Sequence, residues 1–319
     1  MAAALLSTFL LSACTGPQSV FGAAGREASA IEDLIVVTAV GAACAWFIVT
    51  SLLIYAGRVR RHRFAEETAQ RFITWGGVVI PTVLLFALLS YALWSMPATR
   101  PWFDRQQADL EIEVTGEQYW WRIRYLNTSG DVAFETANEL KLPVDRRIRV
   151  SLKANDVIHS FWIPALGGKM DMIPGRTNTL WLEPTRIGSY RGPCAEFCGT
   201  SHALMTLTAI VMTMEDFETW RQGRINKSPT SADAGAAFQR NGCPACHAID
   251  GTDAKGLVGP NLTAFKDRLR LGAAANTRDN LFRFIRDAGE FKPGAQMPAF
   301  PMIPEGELNA IVDYLAGET

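Results

Sequence analysis

The hydrophobic pattern changes character three times along the chain. Two long uncharged apolar runs come first: Leu34 to Tyr55 spans 22 residues and Phe72 to Thr99 spans 28. A bilayer crossing takes about 20 apolar residues at about 1.5 Å rise each, so both runs predict transmembrane helices, a two-helix hairpin over 31–99. Pro81 inside the second run is tolerable in a membrane helix. The loop between them reads Gly57-Arg58-Val59-Arg60-Arg61-His62-Arg63, and such positive loops stay cytoplasmic. Both chain ends, and everything from Arg100 to Thr319, are then expected on the periplasmic or extracellular side. His62 reads as one more basic loop residue, and Cys44 as a packing residue of the first span.

From about 102 to 220 the pattern shortens to alternation. Leu110-Glu111-Ile112-Glu113-Val114, Trp121-Arg122-Ile123-Arg124-Tyr125 and Ile148-Arg149-Val150-Ser151-Leu152 alternate, and apolar or β-branched runs follow at Val157–Ile163, Thr177–Leu182 and Met205–Met212. Asn127, Gly130, Asn138, Pro143 and Pro174 punctuate them. Many short strands with turns between them predict an all-β sandwich or barrel. No strand alternates with a helix, so a dinucleotide-binding fold is not supported. Residues 221–232 are polar and contain Pro229, the composition of a linker. The remainder, 233–319, is a small domain with an amphipathic segment at Ala232–Gln239 and a closing helix over about Pro304–Ala316.

Composition narrows the class. The 319 residues are 48% hydrophobic and only 20% charged, with a net charge of −1. That excludes a disordered chain, and no excess of Lys and Arg is available to bind nucleic acid. Residues 1–13 are small and apolar and end Leu11-Ser12-Ala13-Cys14. They resemble the signal peptide and cleavage box of bacterial lipoproteins, which predicts a lipidated Cys14 in a bacterial cytoplasmic membrane. The n-region lacks the usual positive charge.

Six cysteines and four histidines carry the chemistry. One stretch holds Cys194, Glu196, Cys198, His202 and Met205 within twelve residues. Soft thiolate, thioether and imidazole donors select copper, zinc or iron–sulfur centres. One Cys, one His and a Met on a loop, with a second His from upstream, is the blue-copper set; His159 is the upstream histidine on the exported side. The second cysteine departs from that set, and two thiolates on one loop can bridge two metals. A Cys194–Cys198 disulfide and a zinc site of two Cys and two His are the alternatives. Further on, Cys243-Pro244-Ala245-Cys246-His247 is the c-type haem attachment motif, with a disulfide or redox Cys-x-x-Cys as its alternative. Met297 in Gly294-Ala295-Gln296-Met297-Pro298 stands in the context of an axial ligand, and Met302 competes with it.

Cys-x-Glu-x-Cys-x-x-x-His-x-x-Met, with His159-Ser160-Phe161-Trp162 upstream, resembles subunit II of haem–copper cytochrome c oxidases. The likeness covers roughly Ile31 to Trp220 and includes Lys169-Met170-Asp171 and Pro174-Gly175-Arg176. It implies a cupredoxin-like barrel behind a two-helix membrane anchor, holding a binuclear copper-A centre. Cys194 and Cys198 would bridge two coppers, His159 and His202 would each terminate one, Met205 would be a weak axial ligand, and the Glu196 carbonyl the remaining one. The family also uses this glutamate's carboxylate for magnesium at the contact with subunit I. The C-terminal domain resembles small cytochromes c through Cys243, Cys246, His247, the Gly259-Pro260-Asn261-Leu262 loop and Met297. Two departures stand out. Tyr119 in Gly116-Glu117-Gln118-Tyr119-Trp120-Trp121 replaces a tryptophan at which the family receives electrons. The second span also lacks an early glutamate that feeds a proton channel in subunit I.

The resemblance implies a caa3-type oxidase subunit: a membrane-anchored multidomain chain with a two-helix hairpin, an all-β cupredoxin-like barrel and a small all-α cytochrome c domain. Electrons would enter at the haem, pass to copper-A and go on to subunit I, where oxygen is reduced to water. Subunits I and III are the implied partners, with a cytochrome c or a bc1-type complex as donor. Tethering the carrier raises its effective concentration to about millimolar. The rival functions are a copper-A nitric oxide reductase-type subunit and a membrane-anchored electron carrier outside any oxidase.

Overall fold

A computed structural model of the chain describes residues 16, 19–58, 65–95, 107–225 and 235–317. Cys14, most of the basic loop and the segment expected as linker beyond residue 225 lie outside the described residues. Two long helices open the fold, α1 (Arg26–Arg58) and α2 (Glu66–Ser95), both long and apolar enough to cross a membrane. Their apolar side chains are exposed: Phe47 is 62% accessible, Leu53 67% and Phe86 70%. So large an apolar surface calls for lipid or protein around it. A widened π turn at Trp75–Val79 precedes Pro81. Proline lacks an N–H and its ring clashes with the carbonyl four residues back, and a local π turn relieves that conflict.

Helix α1 starts eight residues before the uncharged run, because residues 24–27 are tied to the next domain. Ala24 N–H donates to the Ala165 carbonyl at 2.7 Å and Arg26 N–H to Glu183 O at 3.0 Å. The Glu27 carboxylate accepts the Glu183 N–H at 3.0 Å. The anchor is thus stitched to the β-domain by backbone bonds and the Glu27 carboxylate.

That domain holds ten strands: β1 (Leu110–Glu117), β2 (Trp120–Leu126), β3 (Val132–Ala137), β4 (Glu139–Pro143), β5 (Ile148–Ala154), β6 (His159–Phe161), β7 (Met170–Met172), β8 (Asn178–Leu182), β9 (Gly188–Pro193) and β10 (Thr206–Met212). One sheet runs in the order β3-β2-β1-β5-β8, a second β4-β10-β9, and β6 pairs with β7. β1 and β5 are parallel, with Ile112 opposite Val150 and Val114 opposite Leu152. Inward positions alternate along each strand: Ile112, Val114, Ile123, Tyr125, Ile148, Val150 and Leu152 are all buried.

Helix α3 (Met214–Ile225) follows and continues through residues 221–225, where a linker is expected. Arg221 and Gln222 both bond to Glu218 at helical spacing. The C-terminal domain comprises α4 (Ala236–Arg240), a short hairpin β11 (Arg270–Leu271) and β12 (Ala274–Ala275), α5 (Arg278–Arg286), α6 (Ala288–Phe291) and α7 (Glu305–Ala316). Its core gathers Phe238, Leu281, Ile285, Leu308, Ile311 and Leu315.

Candidate metal centres

The β9–β10 pair aligns Thr206 opposite Pro193 and leaves residues 194–205 as a loop between the strands. Cys194 N–H donates to the Met205 carbonyl at 2.9 Å, and Ala195 N–H to Ser160 O at 3.0 Å. These bonds clamp the loop shut and hold it to strand β6, which carries His159. The donor atoms converge. His159 Nδ1 lies 3.9 Å from Cys194 Sγ, His202 Nδ1 lies 3.5 Å from Cys198 Sγ, and Met205 Sδ lies 3.7 Å from Cys198 Sγ. The Glu196 carbonyl accepts from Cys194 Sγ at 3.2 Å. His159, Cys194 and Cys198 place their donor atoms within 4.8 Å of one another, all buried. Both cysteines are free thiols.

The surroundings orient this set. His159 Nε2 faces Asp156 Oδ1 at 2.8 Å, so Nε2–H donates there and Nδ1 is left toward the sulfurs. A carboxylate behind a ligating imidazole is the common arrangement at metal sites. Gly116 on β1 makes room for the ring: a Cβ there would lie 2.7 Å from His159 Cδ2. Burial raises the pKa of the Cys194 thiol, but bonds from His159 and from the backbone at Glu196 and Ser160 outweigh it and hold the thiol below its ordinary value. Burial and the neighbouring Cys194 push Cys198 up to about 12. The pocket therefore accommodates one negative sulfur readily and resists two. A dipositive or larger charge between them would let both ionise, which fits a bound metal centre.

The second centre surrounds a cavity. Cys243, Cys246, His247 and Met297 line about 1390 Å³ of empty space, part of it open to solvent, walled by Phe238, Leu281, Ile285, Ile311 and Leu315. Met302 is 73% exposed. His247 Nδ1 lies 2.8 Å from the Pro260 carbonyl, so Nδ1–H donates and Nε2 is the free nitrogen. Gly259 lets this loop press on the ring: a Cβ there would stand 2.4 Å from His247 Cε1. Burial pushes the His247 pKa down, which keeps the imidazole neutral as ligation requires. An apolar slot with two adjacent thiols, a free imidazole nitrogen and a thioether fits a covalently attached haem.

Gln118, Tyr119, Trp120 and Asn138 of the β-domain also line that cavity. Polar bonds cross the junction. Arg122 donates to Leu257 O at 2.8 Å and Arg224 to Thr263 O at 2.8 Å. The Glu139 carboxylate accepts Leu269 N–H. Sequence reasoning singles out the stretch holding Gln118, Tyr119 and Trp120 but gives no role to Arg122, Arg224, Glu139 or Asp156.

Fold and sites together define a class: a membrane-anchored electron-transfer protein with a cupredoxin-like copper domain and a cytochrome c domain. Residues 100–213 match the family model "Cytochrome C oxidase subunit II, periplasmic domain", and residues 232–317 match "Cytochrome c". A cytochrome c oxidase subunit 2 of Alkalihalophilus pseudofirmus is 33% identical, over 97% of this chain and 93% of that protein. One from Bacillus subtilis is 32% identical over 98% of this chain and 95% of that protein. The periplasmic domain of subunit II of cytochrome oxidase from Bradyrhizobium japonicum is 35% identical over 37% of this chain and 94% of that one, at a TM-score of 0.34. The chain belongs to the cytochrome c oxidase subunit 2 family and carries a fused C-terminal cytochrome c domain.

Proposed function

We propose that this chain delivers electrons to subunit I of a haem–copper oxidase, receiving them in its cytochrome domain and moving them through its cupredoxin domain, for reduction of oxygen to water. The observation that carries the reading is the convergence of buried Cys194, Cys198, His159 and Met205 with half-buried His202 on a β-domain that also lines the haem cavity. Cys194, Cys198, His159, His202, Met205 and the Glu196 carbonyl would hold the copper pair. Cys243 and Cys246 would anchor the haem, and His247 and Met297 would ligate its iron. When bound, both groups would supply reversible one-electron chemistry. The chain's own residues bury Cys194, Cys198 and His159, hold the geometry of both centres and fix their spacing, so they move charge without binding substrate.

Finer assignments follow from the same reading. The Glu196 carboxylate holds magnesium at the contact with subunit I. Cys14 is the lipidated N-terminus of the mature chain, and both ends face away from the cytoplasm, since the basic cluster at 58–63 lies in the loop between the helices. Subunit III joins the assembly, and a cytochrome c or a bc1-type complex donates the electrons.

Purification of the full chain from membranes tests the reading. A multi-span haem protein that co-purifies and consumes oxygen when the c-type haem is reduced is the expected result. A chain that purifies alone, or whose partner reduces nitric oxide and not oxygen, overturns it.

A further inference from the structure

Lys292 follows helix α6 and is 5% exposed. Its Nζ donates to the Tyr119 backbone carbonyl at 2.7 Å, across 173 residues of chain. Among the described residues no carboxylate pairs with it, and burial pushes the ammonium down to about 8. A buried ammonium is costly, and a methionine would fill the same space without that cost. What the lysine supplies is its charged donor, aimed at one atom of the other domain. The next two residues act at the same place. The Pro293 carbonyl accepts from Ser201 Oγ at 2.7 Å, and Ser201 is 1% exposed and precedes His202. Gly294 passes beside the Tyr119 hydroxyl and Thr200.

Tyr119 and Gln118 in turn grip the copper loop. The Tyr119 hydroxyl accepts Thr200 N–H at 3.1 Å, and Gln118 Nε2 donates to the Cys198 carbonyl at 2.6 Å. Three consecutive residues of the cytochrome domain thus clasp the segment that carries Cys198 and His202. Met297 lies three residues downstream, and Lys292, Tyr119 and Met297 line one cavity. The bonds made by Arg122, Arg224 and Glu139 anchor the domain to other parts of the barrel, so they hold the partners together without setting the spacing at the copper loop.

We propose that Lys292 is a positioning residue for electron transfer between the two domains: it fastens the cytochrome domain to the Tyr119 backbone and holds the haem cavity against the copper loop in a fixed dock. The proposal rests on the copper-A and haem reading above. A fixed dock also buries Tyr119, which is 6% exposed, so a soluble donor meets the cytochrome domain and not this surface.

The test uses the full chain in its oxidase, loaded with haem and copper. A photoreductant injects one electron into the c-type haem, and its arrival at copper-A is followed optically. In the unaltered chain the transfer is one fast phase whose rate ignores ionic strength, because buried contacts are poorly screened, and Tyr119 resists hydroxyl-radical labelling. Lys292→Met weakens the docked state by about tenfold or more, the factor carried by loss of a hydrogen bond from a charged donor, so the single fast phase gives way to slower transfer and Tyr119 becomes open to labelling. Both potentials are recorded, so a change in driving force is separated from a change in position. A Lys292→Met chain with both spectra intact, the original rate and a still-protected Tyr119 overturns the proposal. Should that variant fail to load haem, the unaltered chain decides: a rate that changes steeply with salt, or a freely labelled Tyr119, means a swinging tether and overturns the fixed dock. Absence of the copper-A or haem spectrum from the unaltered chain contradicts the functional reading instead.

Discussion

At the copper loop the donors already touch: sulfur, imidazole and thioether stand within 4 Å of a neighbour, on a clamp of backbone bonds between β9, β10 and β6. In the cytochrome domain the four candidate ligands stand apart around a largely apolar cavity that opens in part to solvent. The barrel has its own core of aliphatic and aromatic side chains, and its metals would complete a site. The cytochrome domain has fewer than a hundred residues, a size at which a core is marginal, and a haem would be the centre of that core. One region holds its cofactor; the other is built around it.

The largest effect that could break this contrast comes from the haem thiols. Cys243→Ser with Cys246→Ser removes covalent attachment, and the segment 235–317 is expected to lose its hydrogen-exchange protection while strands β1 to β10 keep theirs. Equal protection in both would show that the cytochrome domain folds without its haem. The complementary change, Cys194→Ser or Cys198→Ser, is expected to abolish the paired-copper signal and haem-to-copper transfer. The copper-free barrel should still melt within about 5 °C of the copper-free unaltered protein, as differential calorimetry would read.

Two further changes sharpen the comparison within the barrel. Arg122 is 3% exposed and bonds Glu117 at 2.6 Å and Glu135 at 2.8 Å. Arg122→Met removes the cation between two buried carboxylates, leaving Glu135 with Arg124 and Glu117 with the Asn155 amide, and breaking such a network costs about 3–5 kcal/mol; denaturant unfolding of the barrel measures it. A smaller effect concerns acid. Burial raises the pKa of the Glu113 carboxyl, but Lys153 and Arg124 bonded to it outweigh burial and hold it below the ordinary value. A carboxylate with a lowered folded pKa adds stability above its unfolded pKa and loses it as pH falls through the folded one. Acid unfolding curves should show the barrel of a Glu113→Gln variant less stable at neutral pH and less sensitive to acidification from the ordinary carboxylate range downward.

Much of the candidate chemistry was legible in the sequence because it is local. Cys194 to Met205 and Cys243 to His247 are single short segments, and the two helices need only hydropathy. The strands with strict alternation were equally plain. Strand β3 was not, because Glu135 on it is buried in an ion network and breaks the expected polarity. Nor was β9, whose Gly188, Gly192 and Pro193 read as turn. Helix α5 was hidden by its four charged residues among nine. The junction was least legible of all. Lys292 and Tyr119 are 173 residues apart, Arg122 and Leu257 are 135 apart, and nothing in either segment names its partner. Asp156 behind His159 likewise emerges only when the strands are in place.

The central claim is that two thiolates on one loop hold two coppers beside a haem domain of the same chain. An electron paramagnetic resonance spectrum of the full chain, loaded with copper and haem, tests it most directly. One unpaired electron shared by two equivalent copper nuclei, alongside a low-spin c-type haem, is the expected spectrum. A signal from a single copper nucleus, or a site that takes zinc and no copper, would contradict it.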